Sequence, residues 1–136
     1  MSNQKLNCKH ELISLVREIL AEHGYLVESP KRLEGESGTT HKFDILAKSK
    51  NNSIIIEYLE PHLPDEAAVI ALYAKIIDVR STLKNLSKTF LIAPSKMSQT
   101  GKTLAKQYLI TVIEAKEKET LTKELKTHLA AHQPPQ

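Results

Sequence analysis

Two carboxylates interrupt two consecutive apolar segments of the sequence. Asp44 stands within KFDILAK at 42–48, and Glu57 stands within IIIEYL at 54–59. A carboxylate is rarely buried without a partner, because removing its charge from water is costly. Both segments are candidate strands joined by a turn at 51–53. Neighbouring strands lie about 4.8 Å apart, so we expect the two side chains to lie close together.

Such a pair of acids would favour a divalent cation. Like charges a few ångström apart repel each other unless a cation lies between them. Mg²⁺ binds proteins through one or two carboxylates, and phosphate oxygens and water complete its shell. A cation held in this way can polarise a phosphodiester and activate a water. Asp44 and Glu57 are therefore candidate ligands for Mg²⁺ or Mn²⁺. A salt bridge to lysine, or exposure to solvent, remains the alternative for each acid.

The hydrophobic pattern predicts the elements that would position these acids. Helices are predicted over 10–23, 66–86, 98–107 and 120–131, and strands over 25–27, 42–48, 54–59, 89–93 and 108–113. Asp65 is expected to cap the second helix, and 29–41 is expected to be a loop or a loose hairpin. The order α-β-β-β-α-β-α-β-α predicts an α/β fold with a mixed central sheet flanked by helices.

Length and composition fit one domain. The chain has 136 residues, 40% of them apolar, which suits a single core. We expect that domain over 1–131 and a flexible tail over 132–136. No apolar run is long enough to span a bilayer, and none precedes Leu12 as a signal peptide would. With Cys8 as its one cysteine, the chain is expected to be cytoplasmic and to have no membrane partner.

Lysines are concentrated in the second half of the chain. Residues 1–60 carry eight basic and nine acidic side chains, a net of −1, whereas residues 84–136 carry nine lysines and four glutamates, a net of +5. A lysine-rich side next to a helix N-terminus suits phosphate binding. A capped helix with solvated lysines is the alternative. The candidate phosphate contacts are Lys96, Ser98, Thr100 and Lys102.

The residues around the two acids resemble the PD-(D/E)xK nuclease superfamily. The run GESGTTHKFDILAK contains Asp44, and Glu57 follows 13 residues later in IIIEYLE. A helix ending in His-Gly-Tyr at 23–25 precedes this run. The segments TFLIAP, 98–107 and YLITVI follow it in the order strand, helix, strand. The nearest similarity is to Mrr-type restriction endonucleases and archaeal Holliday-junction resolvases, and it extends over nearly the whole chain.

This resemblance implies a restriction-endonuclease-like fold and a metal-dependent deoxyribonuclease site. Asp44 would be the metal-binding Asp of the family, and Glu57 the acid of its (D/E)xK element. Glu11 matches a helical acid that many members use to position a metal or a water. Ser37 and Gly38 match a Ser-Gly that often precedes the strand in the resolvases. The phosphate-contact candidates become candidate DNA-backbone contacts, and resolvase-like members usually pair as homodimers.

One position departs from the family pattern. The family lysine should follow Glu57 by two residues, where this chain has Leu59. That lysine orients the attacking water and stabilises developing negative charge, which leucine cannot do. A relocated lysine could replace it: Lys42 shares a face with Asp44 in a regular strand, and Lys75 lies on the central helix. Otherwise, hydrolysis is lost.

Two functional hypotheses follow. The first is a nucleic-acid-binding domain that is related to metal-dependent DNA endonucleases and cleaves phosphodiester bonds in double-stranded or branched DNA. The second is a catalytically inactive module of the same fold that binds a protein partner or DNA. Aromatic residues make up only 4% of the chain, so base-stacking platforms for single strands are not favoured.

Overall fold

The computed structural model describes residues 9–83 and 85–132, without the side chains of 131 and 132. The helices are α1 (Lys9–Glu22), α2 (Asp65–Val79), α3 (Gln99–Gln107) and α4 (Lys118–His132). The strands are β1 (Leu26–Glu28), β2 (Lys31–Glu34), β3 (Thr40–Phe43), β4 (Ile45–Lys48), β5 (Ser53–Tyr58), β6 (Leu86–Ala93) and β7 (Ile110–Glu114). Among these helices, none has the length and apolar character needed to cross a bilayer. Cys8 and, except for His132, the predicted tail lie outside the described residues.

Five strands form a mixed central sheet in the order β1-β4-β5-β6-β7. The β1–β4 and β4–β5 pairs are antiparallel, whereas the β5–β6 and β6–β7 pairs are parallel. The parallel pairs need long connections, which α2 and α3 supply. The predicted α/β class, the mixed central sheet flanked by helices, and the order of elements are confirmed.

Helices cover both faces of this sheet. α1 and α4 pack on one face, and α2 and α3 pack on the other. Along β5, Ile54 and Ile56 belong to the first core, whereas Ile55 and the following Leu59 belong to the second. This alternation is a consequence of the pleat. It places Glu57 on the same face as Leu59, towards α2.

The segment at 29–41, predicted as a loop or a loose hairpin, contains a two-stranded sheet formed by β2 and β3. Its turn includes Gly38, whose positive φ of 89° favours glycine. The hairpin is fastened to α2 through Asp78. The backbone N–H of Ser37 donates to Asp78 Oδ1 at 2.8 Å, and its hydroxyl donates to Oδ2 at 2.6 Å. His41 Nε2 lies 2.7 Å from the same Oδ2.

The second helix differs from its prediction. It ends at Val79 rather than at 86, because β6 begins at Leu86 to pair with β5 and the chain must be extended by then. Asp65 was expected to cap this helix, and that expectation is wrong. Pro64 occupies the N-cap position without a side-chain cap bond. The Asp65 carboxylate instead accepts hydrogen bonds from the amide and hydroxyl of Ser98, at 2.6 and 2.8 Å.

Candidate functional site

Asp44 and Glu57 lie close together where the β4–β5 pair ends. Ile45 is paired with Ile56, so Asp44 and Glu57 are the next residues beyond the last pair of the β4–β5 ladder. Beyond the last backbone pair, the two carboxylates accept hydrogen bonds from backbone N–H groups. The N–H of Asp44 donates to Glu57 Oε1 at 2.6 Å, and the N–H of Tyr58 donates to Asp44 Oδ2 at 2.9 Å. The structure therefore brings the two acids together.

Lys75 reaches this pair from α2. Its Nζ lies 3.1 Å from Glu57 Oε2 and donates to the carbonyl oxygen of Lys42 at 2.5 Å. The same ammonium lies 4.6 Å from the centroid of the Phe43 ring, which adds a cation–π contact. The side chains of Lys75 and Glu57 are 24% and 17% exposed. These contacts hold an ammonium group in a fixed, largely enclosed position beside Glu57.

Lys9, which the sequence patterns did not single out, reaches the other acid from α1. Its Nζ lies 2.9 Å from Asp44 Oδ1 and 2.9 Å from Glu60 Oε2. The side chain of Asp44 is 9% exposed, and that of Lys9 is 35% exposed. In the sequence Lys9 lies immediately before the helix predicted over 10–23, and the structure begins α1 at this residue. That position does not identify the acids that Lys9 meets.

The pKa values reflect crowding of charge at this point. Burial raises the pKa of Glu57 above its ordinary value, and the neighbouring Asp44 carboxylate raises it further, against the opposing effect of Lys75. Burial lowers the pKa of Lys9, but its hydrogen bonds and ion pairs with Asp44 and Glu60 outweigh this, so the net shift is upwards. Both shifts are those of a site that favours additional positive charge.

These groups line a cleft of about 270 Å³ between α1, the sheet end and α2. At about 30 Å³ per water molecule, the cleft has room for several waters. Leu59, which is 7% exposed, forms part of the apolar wall. The remaining lining residues are Lys9, Lys42, Asp44, Glu57, Tyr58, Glu60, Leu63, Ala68, Ala71, Leu72, Lys75 and Leu91.

The donor chemistry of the cleft fits a hard divalent cation. Two carboxylates in one cleft suit Mg²⁺ or Mn²⁺, whose other positions are filled by phosphate or water. In the part of the chain that the structure describes, no three His, Cys, Asp or Glu side chains form a larger cluster. Asp44 and Glu57 are the residues whose carboxylates would hold the cation, and each of them also contacts an ammonium group, at 2.9 Å from Lys9 and 3.1 Å from Lys75.

The other residues suggested by the family resemblance lie in different places. Lys42 lines the cleft, whereas Glu11 does not. Positions two apart on a helix point about 200° apart, so Glu11 and Lys9 do not share one face of α1. Ser37 and Gly38 lie in the β2–β3 hairpin, and neither lines the cleft. The proposed roles of Glu11, Ser37 and Gly38 stay predictions.

The phosphate-contact candidates lie around the start of α3. Ser98 is the N-cap of this helix, and its Oγ accepts the Gly101 N–H at 3.0 Å. Lys96 and Thr100 are exposed, and Lys102 Nζ lies 3.6 Å from Glu114 Oε2. α3 follows the carboxyl end of β6, which is parallel to β5. This group therefore lies at the same sheet edge as Glu57, where open α/β sheets commonly bind ligands.

No family model and no curated protein matches the chain. Solved structures do. A crystal structure of a protein of unknown function aligns with a TM-score of 0.65 and 20% identity, over 85% of this chain and 65% of that one. Can2 from Sulfobacillus thermosulfidooxidans, solved with cyclic tetra-adenylate, aligns with a TM-score of 0.68 and 16% identity, over 88% of this chain and 34% of that one. A repair endonuclease from Pyrococcus abyssi aligns with a TM-score of 0.58 and 16% identity, over 82% of this chain and 48% of that one.

These similarities establish a fold. The chain has a mixed α/β fold similar to that of a repair endonuclease, which supports the predicted restriction-endonuclease-like fold. The chain spans 65% or less of each of these three solved chains. The Mrr-type relationship and the family roles of individual residues stay predictions.

Proposed function

We propose that the chain is a nucleic-acid-processing module that cleaves phosphodiester bonds in double-stranded or branched DNA with Mg²⁺ or Mn²⁺. One observation carries the proposal: the Lys75 ammonium lies 3.1 Å from Glu57 Oε2. This contact supplies, from α2, the positive charge that Leu59 cannot provide. The similarity of the fold to that of a repair endonuclease supports the same assignment.

Each group in the cleft has a role that follows from its chemistry. Asp44 and Glu57 would hold the divalent cation, which would neutralise charge at the scissile phosphodiester. The Lys75 ammonium has a third proton to donate beyond Glu57 and the Lys42 carbonyl. It can direct that proton to an attacking water or a phosphate oxygen and stabilise negative charge as it develops. Leu59 lines this position with apolar surface, which strengthens these electrostatic interactions.

The DNA backbone would approach along the sheet edge shared by the cleft and the start of α3. Lys96 and Lys102 provide positive charge there, and Thr100 provides an exposed hydroxyl. Ser98 is less available because its hydroxyl already bonds Asp65 and Gly101. Binding of this kind releases counterions, so its affinity should fall steeply as salt is raised.

The test is cleavage of labelled branched, double-stranded and single-stranded DNA with Mn²⁺, Mg²⁺ or EDTA. We expect metal-dependent cutting by the wild-type chain, none by Asp44→Asn, and a loss on the order of 100-fold or more in Lys75→Met. Lys126→Met is the matched control, because Lys126 pairs with Glu22 at 3.9 Å in the opposite helix layer. Wild-type rates in Lys75→Met would contradict its role, and the absence of cutting on every substrate would contradict the nuclease function.

A double variant that moves the ammonium group from position 75 to position 59 provides a second test. Leu59 lines the same cleft as Lys75 and stands where the family lysine is expected. The double variant Lys75→Met/Leu59→Lys should therefore recover part of the cutting that Lys75→Met loses. Failure of the double variant to cut, although it is folded by circular dichroism, would show that the two positions are not equivalent.

The second candidate function is a non-catalytic module that binds a protein partner, a second copy or DNA. Exposed apolar side chains along α2 favour the protein partner: Ile70 is 50% exposed, and Ile77 is 43% exposed. Neighbouring exposed apolar groups of this kind often mark an interaction surface. DNA binding without cutting in any metal would support the inactive module. A concentration-dependent mass that Ile70→Glu abolishes in light scattering would support self-association.

A further inference from the structure

Lys9 contacts one of the two carboxylate oxygens of Asp44, while the backbone contacts the other. Asp44 Oδ2 already accepts the Tyr58 N–H at 2.9 Å. Asp44 Oδ1 faces the cleft, and Lys9 Nζ lies 2.9 Å from it. A cation bound by Asp44 in this cleft would lie near the Lys9 ammonium, because both residues line the cleft. The ammonium and a divalent ion would then be close neighbours of like charge, which repel strongly in a poorly solvated site.

The local charges explain why an ammonium lies there. The cleft is lined by three carboxylates, Asp44, Glu57 and Glu60, and by three lysines, of which Lys9 and Lys75 contact those carboxylates. The Asp44 side chain is only 9% exposed, so solvent provides little of the compensation that a buried carboxylate needs. Lys9 supplies that compensation through its contact with Asp44 Oδ1.

Lys9 is also able to leave. Its side chain is 35% exposed, the largest exposure among Lys9, Asp44 and Glu60. It projects from the first turn of α1, where the helix dipole disfavours positive charge. A lysine ammonium on a four-carbon stem can move several ångström by changing rotamers. A phosphate in the cleft would offer it a new anionic partner close to its present position.

We propose that Lys9 is a resident cation that competes with the divalent metal for Asp44, and that a nucleic-acid phosphate relieves this competition by drawing Lys9 away. Metal binding is then weak in the free protein and becomes strong only with nucleic acid bound. By linkage, the metal strengthens nucleic-acid binding by the same factor. The proposal rests on the proposed function, because it takes Asp44 as a metal ligand and a phosphodiester as the substrate.

The experiment measures Mn²⁺ binding to the full chain by titration calorimetry, with no DNA and then with a phosphorothioate duplex that resists cleavage. Lys9→Met keeps most of the side-chain length and removes the charge. We expect Lys9→Met to bind Mn²⁺ about 5- to 150-fold more tightly than wild type without DNA, the usual range for coupled sites. The duplex should tighten Mn²⁺ binding to wild type and have little effect on Lys9→Met.

Controls separate this proposal from its alternatives. Lys31→Met is the matched control, since Lys31 pairs with Glu28 at 2.7 Å on the surface and should bind Mn²⁺ as wild type does. Lys9→Arg keeps the charge and should bind Mn²⁺ weakly. Mn²⁺ should also raise the melting temperature of Lys9→Met more than that of wild type, because ligand binding stabilises the folded state. That measurement verifies that the variant is folded.

The outcomes distinguish this inference from the proposed function. Equal or weaker Mn²⁺ binding by Lys9→Met, together with metal-dependent cutting by wild type, would overturn the competition and leave the nuclease function standing. Absence of Mn²⁺ binding in both proteins, with or without the duplex, would overturn both. Tighter binding by Lys9→Met that Asp44→Asn abolishes would support the competition even if no DNA substrate is cut.

Discussion

Replacing Lys75 by methionine tests the central ion pair of the cleft. Methionine keeps an apolar stem of similar length against Phe43 but has no ammonium to meet Glu57 Oε2 and the Lys42 carbonyl. In the wild-type chain these atoms lie 3.1 and 2.5 Å from Lys75 Nζ. The variant therefore leaves Glu57, whose side chain is 17% exposed, beside Asp44 without its cation.

The expected loss of folding stability follows from the partial burial of the Lys75–Glu57 ion pair. Hydrogen bonds to charged groups contribute roughly 1.5–3 kcal/mol each, and breaking a fully buried ion pair costs roughly 3–5 kcal/mol. The pair keeps some solvent contact, so we expect the free energy of unfolding to fall by about 2–3 kcal/mol at pH 8. A domain of this size loses about 3–5 °C of melting temperature per kcal/mol. The midpoint should therefore drop by roughly 6–15 °C.

The loss of stability in Lys75→Met should increase as the pH rises. Burial and Asp44 raise the pKa of Glu57 above its ordinary value of 4.5, and Lys75 opposes that rise. Without Lys75 the folded-state pKa is higher still. A group whose folded pKa is raised contributes stability below its unfolded pKa and loses it as pH rises through the folded value. The deficit of Lys75→Met should therefore be small at pH 4 and largest at pH 8.

The assay is urea denaturation followed by circular dichroism at both pH values, with Lys126→Met as the control. Adding Glu57→Gln completes a double-mutant cycle. The double variant should be less destabilised than the sum of the single variants, by about 1–3 kcal/mol, because glutamine leaves no stranded charge. A Lys75→Met stability within about 0.5 kcal/mol of wild type at pH 8, or additive single effects, would refute this account.

Three further predictions concern the elements around the cleft. Ser98→Ala removes the side-chain cap of α3 and the hydroxyl that meets Asp65, so urea unfolding should show a loss of about 0.5–2 kcal/mol. Gly35→Ala would place a Cβ 2.0 Å from Asp78 Oδ2, so the Asp78 side chain or the hairpin must shift and weaken the hydrogen bonds between them, and melting should show a loss of about 1–3 kcal/mol. An unchanged midpoint in either variant would contradict the contact concerned. Hydrogen bonds from Ser37, then from His41, lower the pKa of Asp78 from 3.8 to about 2. This stabilisation is present above 3.8 and is lost as pH falls towards 2, so Asp78→Asn should flatten the melting temperature between pH 4 and 2. If the melting temperatures of Asp78→Asn and wild type fell in parallel over this pH range, the predicted role of Asp78 would be contradicted.

Local patterns predicted the framework of the site. The apolar runs at 42–48 and 54–59, joined by a short turn, predicted two neighbouring strands. The structure pairs Ile45–Lys48 of the first run with β5. It divides that run at Asp44, because Lys42 and Phe43 pair with β2. The order of helices and central strands was predictable for the same reason, since apolar spacing depends on near neighbours in the chain. The bounds of α2 were less predictable, because the pairing of β6 with β5 decides where that helix must end.

Only the tertiary structure shows which of the two candidate lysines places its ammonium group beside Glu57. The sequence offered Lys42 and Lys75 as substitutes for the residue missing at Leu59, and the short separation from Asp44 favoured Lys42. In the structure Lys42 provides a carbonyl oxygen and Lys75 the ammonium. Helix packing across the sheet determines this distance, and packing depends on the whole core.

By itself the sequence determined the type of fold and the two acids that interrupt its central strands, because strand periodicity and a short turn act over a few residues. Only the tertiary structure decided which cations meet those acids. Lys9 and Lys75 lie 35 and 18 positions away from Asp44 and Glu57 along the chain. They approach from helices on different sides of the site. Such contacts are created when both helices pack on the sheet, and no local spacing encodes them.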